Sequence, residues 1–343
     1  MKTISILCCV IFIASLSACK KENNLEPTSI VTGQTFTTNL RVDGHHFDSL
    51  IIENCVFDGA TLSIGNADYV TIRNCTFKNI KGNGIKVGFI GPANHVRIEE
   101  CTFENIGYNA IDSHKDASHG FITGCQFNNV ALSQTGATMA QPHHAIYWKG
   151  PYVTIEKSRF IGGDQPFGNG ISVRSSGHIH KNIISGYPKN GIMYYADHPA
   201  DEILLVENNF LFDNNYSITA ASNGDASNHV ESVVIRFNSM VQEENYSIYI
   251  GEEFENSTMV MISSNIIVNP SKEYYRTFFD LYLKEFNYTS EDNIGFVNMN
   301  SGDLHLQPSS PAIGYATPNV LGAPGEDIDG DPRTGSINAG ADE

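Results

Sequence analysis

Cations are scarce in this chain. Lysine and arginine make up 21 of 343 residues, against 38 aspartates and glutamates, for a formal net charge of −17. So acidic a balance excludes nucleic acid as a general partner, because phosphate binding needs clustered positive charge. No long amphipathic helical pattern is visible, which excludes a fold built on helices. Long apolar runs are missing too: the one candidate, Ile4 to Ala14, is too short to span a bilayer comfortably. Apolar residues nevertheless make up 41% of the chain, ample for a sizeable core.

That apolar content is organised as a repeat. The stretch Val70–Val87, VTIRNCTFKNIKGNGIKV, reads as a strand, a turn residue, a phenylalanine, a polar corner and a second strand opened by Asn-Gly. Related segments place Cys55, Cys75, Cys101, Cys125, Ser158, Asn182, Asn209, Asn238 and Ser264 in one column, at spacings of 20 to 33 residues. Two positions on lies an apolar column from Phe57 through Phe77, Phe103, Phe127 and Phe160 to Ile266. Chance imitates three such coils but hardly nine. Short strands repeating at this period predict a solenoid, in which each coil buries its apolar face against its neighbours. A parallel β-helix with coils about 4.8 Å apart fits.

The four column cysteines lie close enough for disulfides. In-register stacking points their side chains the same way, however, so buried free thiols are expected. A line of ligands also does not make a tetrahedral metal site.

In the second strand of each coil the inward pairs read Leu62/Ile64, Ile85/Val87, Ile111/Ser113, Ile146/Trp148, Ile171/Val173 and Ile192/Tyr194. Alternation then turns the intervening residues outward. The outward residues are bland at the ends of the solenoid. In the middle, adjacent coils carry Asp112, His114, Tyr147, Lys149, Arg174 and Tyr195. His143, His144, His178, His198 and the long insertion 131–144 enter the same region, and long loops on a regular scaffold tend to carry function. Lys149 and Arg174 share a register one coil apart. Two cations so close repel unless an anion joins them, and a uronate carboxylate would serve. β-Elimination of a uronide needs a neutralised carboxylate, a base for the C5 proton and an acid for the leaving oxygen. A crowded lysine can be the base, and Tyr147, Tyr195 or a histidine the base or acid. The bland alternative for Lys149 and Arg174 is a solvated pair bridged to Asp112 or Asp197. Asp112, His114, His143, His144, His178 and His198 are the candidate substrate-binding residues.

Two resemblances add to this reading. Leu16-Ser-Ala-Cys19, behind Lys2 and the short apolar run, resembles the lipobox of bacterial lipoproteins. It implies a signal peptide over 1–18, acylation of Cys19 and a tether to residue 36. Lys20 and Lys21 follow the anchor, which favours the outer membrane, facing the periplasm or outward. The Asn and Cys columns and the N-G-I-x-V strand resemble the right-handed parallel β-helix of the pectin lyase-like superfamily over 37–283. That superfamily holds polysaccharide lyases, glycoside hydrolases, epimerases and non-enzymatic adhesins, so the site must decide function. I-Y-W-K and I-S-V-R, ending at Lys149 and Arg174, are similar to strands of the chondroitinase B and alginate lyase family. There a lysine and an arginine on neighbouring coils act as base and acid. That family also places Ca²⁺-binding acidic residues before the lysine strand. This chain has Pro142, His143 and His144 there, so no cofactor is expected and neutralisation falls to Arg174 or a protonated histidine.

The implied protein is a monomeric, lipid-anchored β-helix in the cell envelope that cleaves an acidic polysaccharide. The alternatives are a non-catalytic glycan-binding or scaffold protein and, third, a glycoside hydrolase. A hydrolase needs two carboxylates across the bond, and Asp112 has acidic company only from Asp164, Asp197 and Asp201 on loops. Residues 284–343 read as a terminal cap. It contains Asp327-Ile-Asp-Gly-Asp-Pro-Arg333 and a closing Gly-Ala-Asp-Glu, similar to the ends of many secreted bacterial β-helix proteins. A Ca²⁺ role for Asp327, Asp329 and Asp331 lacks the distal glutamate of a calcium loop.

Overall fold

The computed structural model describes residues 4–5, 29–44, 49–132, 142–163, 168–196, 200–222, 230–255, 257–279, 283–316 and 323–343. Short strands pass in a fixed rotation through three parallel sheets of eleven strands each. Sheet A runs from Leu40–Asp43 through Ile111–Ser113, His144–Trp148, Asn169–Val173 and Asn190–Ala196 to Tyr275–Arg276, with Ile4–Ser5 beside its first strand. Sheet B runs from Ser29–Thr32 to Leu283–Glu285, and sheet C from Thr35–Phe36 to Tyr288–Ser290. This is the expected right-handed parallel β-helix.

Stacking equivalent residues coil on coil builds the core. The rings of Phe57, Phe77, Phe103, Phe127 and Phe160 stack at centroid separations of 4.5 to 5.0 Å. Cys55, Cys75, Cys101 and Cys125 are buried free thiols. Where the cysteines stop, a buried amide ladder begins. Asn209 N donates to Asn238 Oδ1 at 3.1 Å, and Asn238 N to Asn265 Oδ1 at 2.9 Å. The turn from sheet B to sheet C uses one residue with positive φ, such as Asn54 (55°), Asn74 (51°), Asn208 (53°) and Phe237 (52°). Asparagine tolerates that left-handed conformation better than other side chains with a Cβ.

Several boundaries differ from the sequence reading. The ladder member in the coil of residues 259–268 is Asn265, not Ser264. Ser264 is the positive-φ residue (55°), and Met240 pairs with Ile267. The β-helix starts at Ser29 rather than 37, because Ser29–Thr32 pairs with Leu50–Glu53 and Thr35–Phe36 with Val56–Phe57. Segments this short and half-exposed carry too little apolar pattern to register alone. At the other end, Leu283–Glu285 and Tyr288–Ser290 complete another coil where irregular chain was expected.

The irregular C-terminal segment that follows lies along the flank of the helix. Outward residues of sheet C are polar in early coils (Thr76, Thr102, Gln126, Arg159) and then become Ile183, Phe210, Ser239, Ile266 and Tyr288. Ile294, Phe296, Leu304, Ala312, Ala339 and Ala341 cover that apolar strip. Asp327 Oδ1 accepts the backbone N–H of Asp329, Gly330 and Asp331 at 2.8 to 2.9 Å, so its carboxylate shapes the turn.

Candidate functional site on the outer face of sheet A

Register on sheet A assembles the site. Asp112 pairs with Tyr147, Tyr147 with Ser172, and Ser172 with Met193, so these outward residues form one column. The next outward positions hold His114, Lys149, Arg174 and Tyr195. Lys149 leaves the strand over Gly150, where a Cβ would lie 1.5 Å from Ala117 O. A glycine is therefore required for the chain to turn away just after the lysine.

Lys149 is tightly held. Its Nζ donates to Asp112 Oδ1 and to Ser113 O, both at 2.9 Å, and its backbone N–H donates to Ser113 Oγ at 2.7 Å. Asn83 Nδ2 donates to the other Asp112 oxygen at 3.1 Å. Asp112 is only 7% exposed. With both oxygens engaged it fixes the position of the Lys149 ammonium. The bridge to Asp112 is the one anticipated for a purely structural pair. Two acceptors take two Nζ positions and leave a third for a ligand.

The Tyr147 ring separates the cations. Lys149 Nζ lies 4.1 Å and Arg174 Cζ 4.9 Å from its centroid. Arg174 also stacks on Tyr195 at 4.5 Å, and Nη1 approaches Tyr195 O at 3.5 Å. Such cation–π contacts orient a guanidinium while keeping its charge. His114 stands at the rim, with Nδ1 3.1 Å from Asp116 Oδ2 and its ring edge-on to Phe89.

His144 is 2% exposed and meets Tyr147 edge-on at 5.0 Å. Burial first, then the charges of Arg174, Lys189, His143 and Lys149, hold its pKa well below the usual imidazole range. It is a neutral imidazole, not the protonated neutraliser considered from sequence. His143 stacks on Tyr108 at 4.4 Å, at the entrance to the strand. His178 does not join the site. It sits on sheet B, bonded to Glu207 at 2.9 Å and stacked on His180 at 3.8 Å. His198, Asp164, Asp197 and Cys19 lie outside the described residues, as does the Asp201 side chain.

The sequence model described as a right handed beta helix region matches residues 60–235. This chain belongs to that family. The match spans the site strands of this β-helix from Asp112 to Tyr195. No curated protein matches the sequence. Among solved structures, a PL6 family polysaccharide lyase from Pseudopedobacter saltans shares 12% identity and a TM-score of 0.39, over 78% of this chain and 88% of that one. A mutant PL6 family alginate lyase gives 12% identity and a TM-score of 0.36 over 79% of this chain and 49% of its own, so this β-helix spans about half of it.

Sequence reasoning missed Lys189 and Ser172. Burial first, and then the charge of Arg174, holds the Lys189 ammonium below the usual lysine range, and Lys189 in turn acts on His144. Ser172 is fully buried, and its Oγ, like His144 Nδ1, has no hydrogen-bond partner among the described residues. A signal was present. Asn169-Gly-Ile and Asn190-Gly-Ile align with His144-Ala-Ile, and His144 pairs with Asn169 and Asn169 with Asn190.

Among the described residues, His305, Asp329 and Asp342 offer ligand atoms within 4.8 Å of one another. They belong to the C-terminal segment, not to sheet A. Both His305 nitrogens already face carboxylates, Asp303 at 2.5 Å and Asp329 at 2.8 Å, an arrangement that suits a proton.

Proposed function

We propose that this β-helix cleaves a uronate-containing polysaccharide by β-elimination on the outer face of sheet A. The observation that carries the reading is the gathering of Lys149 and Arg174 around Tyr147 and Tyr195 in a chain of net charge −17. Concentrating scarce cations on one face favours an anionic ligand. In this reading Arg174 holds the uronate carboxylate, and Lys149, reacting as the neutral amine with its lone pair at the Nζ position that Asp112 and Ser113 leave open, takes the C5 proton. The C4–O bond breaks as the C4–C5 double bond forms, and Tyr147 or Tyr195 protonates the departing oxygen.

The test is ultraviolet absorbance of the unsaturated product from a panel of uronate polymers. Lys149→Ala and Arg174→Ala are expected to lower kcat on the order of a hundredfold or more. The ion pair of Lys149 with Asp112 favours a second reading, a non-catalytic glycan-binding protein. It predicts binding without unsaturated product. Reducing ends formed without unsaturation would point to hydrolysis instead.

We further propose anchoring at the cell envelope through acylated Cys19. Cys19→Ser is expected to release the protein from membranes, measured by fractionation.

A further inference from the structure

We propose that a second anionic-glycan subsite, lined by Tyr216, Tyr246, Tyr249, Arg276 and Phe278, continues the Lys149–Arg174 site along sheet A. The sheet itself supplies the continuity. Asn190 pairs with Tyr216, and Thr219 with Tyr249, which pairs in turn with Arg276. The outward column that carries Tyr147 and Ser172 therefore leads, coil by coil, to Tyr249 and Arg276.

These rings form one aromatic surface. Tyr216 lies 6.1 Å from Tyr246 and 6.3 Å from Tyr249, and Tyr249 lies 6.0 Å from Phe278. Phe278 is 49% exposed, an unusual state for a phenylalanine beside a ready core. It borders an open depression with Glu255, Thr277 and Phe279. Arg276 is held between two rings, 5.4 Å from Tyr246 and 5.2 Å from Phe278, and Nη1 donates to Tyr246 Oη at 2.7 Å. Lys272 adds a charge 5.6 Å from the Tyr246 centroid. Arg276 makes no ion pair among the described residues, so its charge is available to a ligand.

Pyranose rings present C–H faces that pack on aromatic rings, and an acidic sugar adds a carboxylate for a guanidinium. Exposed aromatics and a pre-oriented arginine match both demands. Glu255, on the wall of the depression, confines the ligand's charge to the Arg276 side. The occupant is thus the acidic glycan chain held at Lys149 and Arg174, extended by several sugars. The ligand class rests on the function proposed above; whether catalysis occurs does not enter.

The experiment titrates the full-length protein with alginate and polygalacturonate oligomers from trimer to decamer, by calorimetry. Wild-type affinity is expected to rise about tenfold across the series. That rise should be lost in Phe278→Ala and Arg276→Ala with unchanged thermal midpoints. A length dependence equal in wild type and both variants would overturn the proposal, as would failure of the wild type to bind either polymer. Binding that lengthens as expected but yields no unsaturated product would remove the lyase reading and leave this subsite standing.

Discussion

A single buried carboxyl shows how local burial becomes a property of the whole protein. Glu243 is fully buried against Ser217 and Ser247, whose hydroxyls lie 2.5 and 2.9 Å from its oxygens. Burial pushes its pKa up to about 7. The folded state therefore prefers the protonated acid. Its contribution is complete below the ordinary glutamate range near 4.5 and is lost as pH rises through about 7. Glu243→Gln should remove about 3 kcal/mol of that pH dependence. Denaturant unfolding at pH 5 and pH 8 measures it; a variant as pH-sensitive as the wild type would contradict the assignment. Nothing in the local sequence marks this burial, because Glu243 lies in a polar corner, QEEN, where exposure is the ordinary expectation. At the site the opposite holds. Lys149, Arg174, Tyr147 and Tyr195 were legible from alternation alone, whereas the role of Asp112 depends on side-chain geometry that a column of letters does not contain.

At the scale of the strand and its corner, the column between sheets B and C changes chemistry along the solenoid. Cys101 donates weakly, with Sγ 3.6 Å from Ile72 O. Asn238 accepts from Asn209 N at 3.1 Å and Nδ2 at 2.9 Å, and donates to Val206 O and Arg236 O at 3.0 Å. Asn238→Ala strands buried groups on both neighbouring coils, at a cost of at least about 2 kcal/mol. Cys101→Ala removes a small, weakly bonded group and should cost about 1 kcal/mol. Equal shifts in the unfolding midpoint would show that the amide ladder adds nothing beyond packing. This column was the clearest feature of the sequence, and its one slip is instructive. Ser263-Ser264-Asn265 offers three small polar residues in a row. Only the backbone identifies Ser264 as the left-handed corner and Asn265 as the ladder. Coil boundaries failed at both ends for a related reason: Ser29–Thr32 and Leu283–Glu285 are strands because a neighbour pairs with them.

Across the whole molecule, the C-terminal segment clasps the flank of the helix through a few long-range ties. Arg333 Nη2 donates to Asn208 Oδ1 at 3.0 Å and to Gly340 O at 2.9 Å, and Nη1 donates to Glu343 at 3.0 Å. Its guanidinium lies over the Phe237 ring at 4.7 Å. Lys181 reaches Glu326 at 2.8 Å, and Gly340 N donates to Ser264 O at 2.8 Å. Within the segment itself, His305 adds a titratable tie between Asp303 and Asp329. Burial opposes its charge, but the bonds to Asp303 and Asp329 outweigh that and raise its pKa above 6.5. The segment's own fold is therefore most stable below the usual imidazole range and loosens as pH rises through the raised value. Arg333→Ala breaks a buried, charged hub and should cost about 3 kcal/mol. The loss falls on the segment first, because the coils keep their own ladders and pair only with their neighbours. Limited proteolysis should then cut after residue 290 while the sheets persist, and a dye for apolar surface should bind the strip at Phe210 and Ile266. Uptake should be greater at pH 8 than at pH 6, as His305 gives up its proton. If Arg333→Ala instead unfolded the entire chain in one step, with no earlier cleavage of the segment, the C-terminal residues would be part of the solenoid's cooperative unit, and the polar-to-apolar switch at Ile183 would mark an interior boundary of the core.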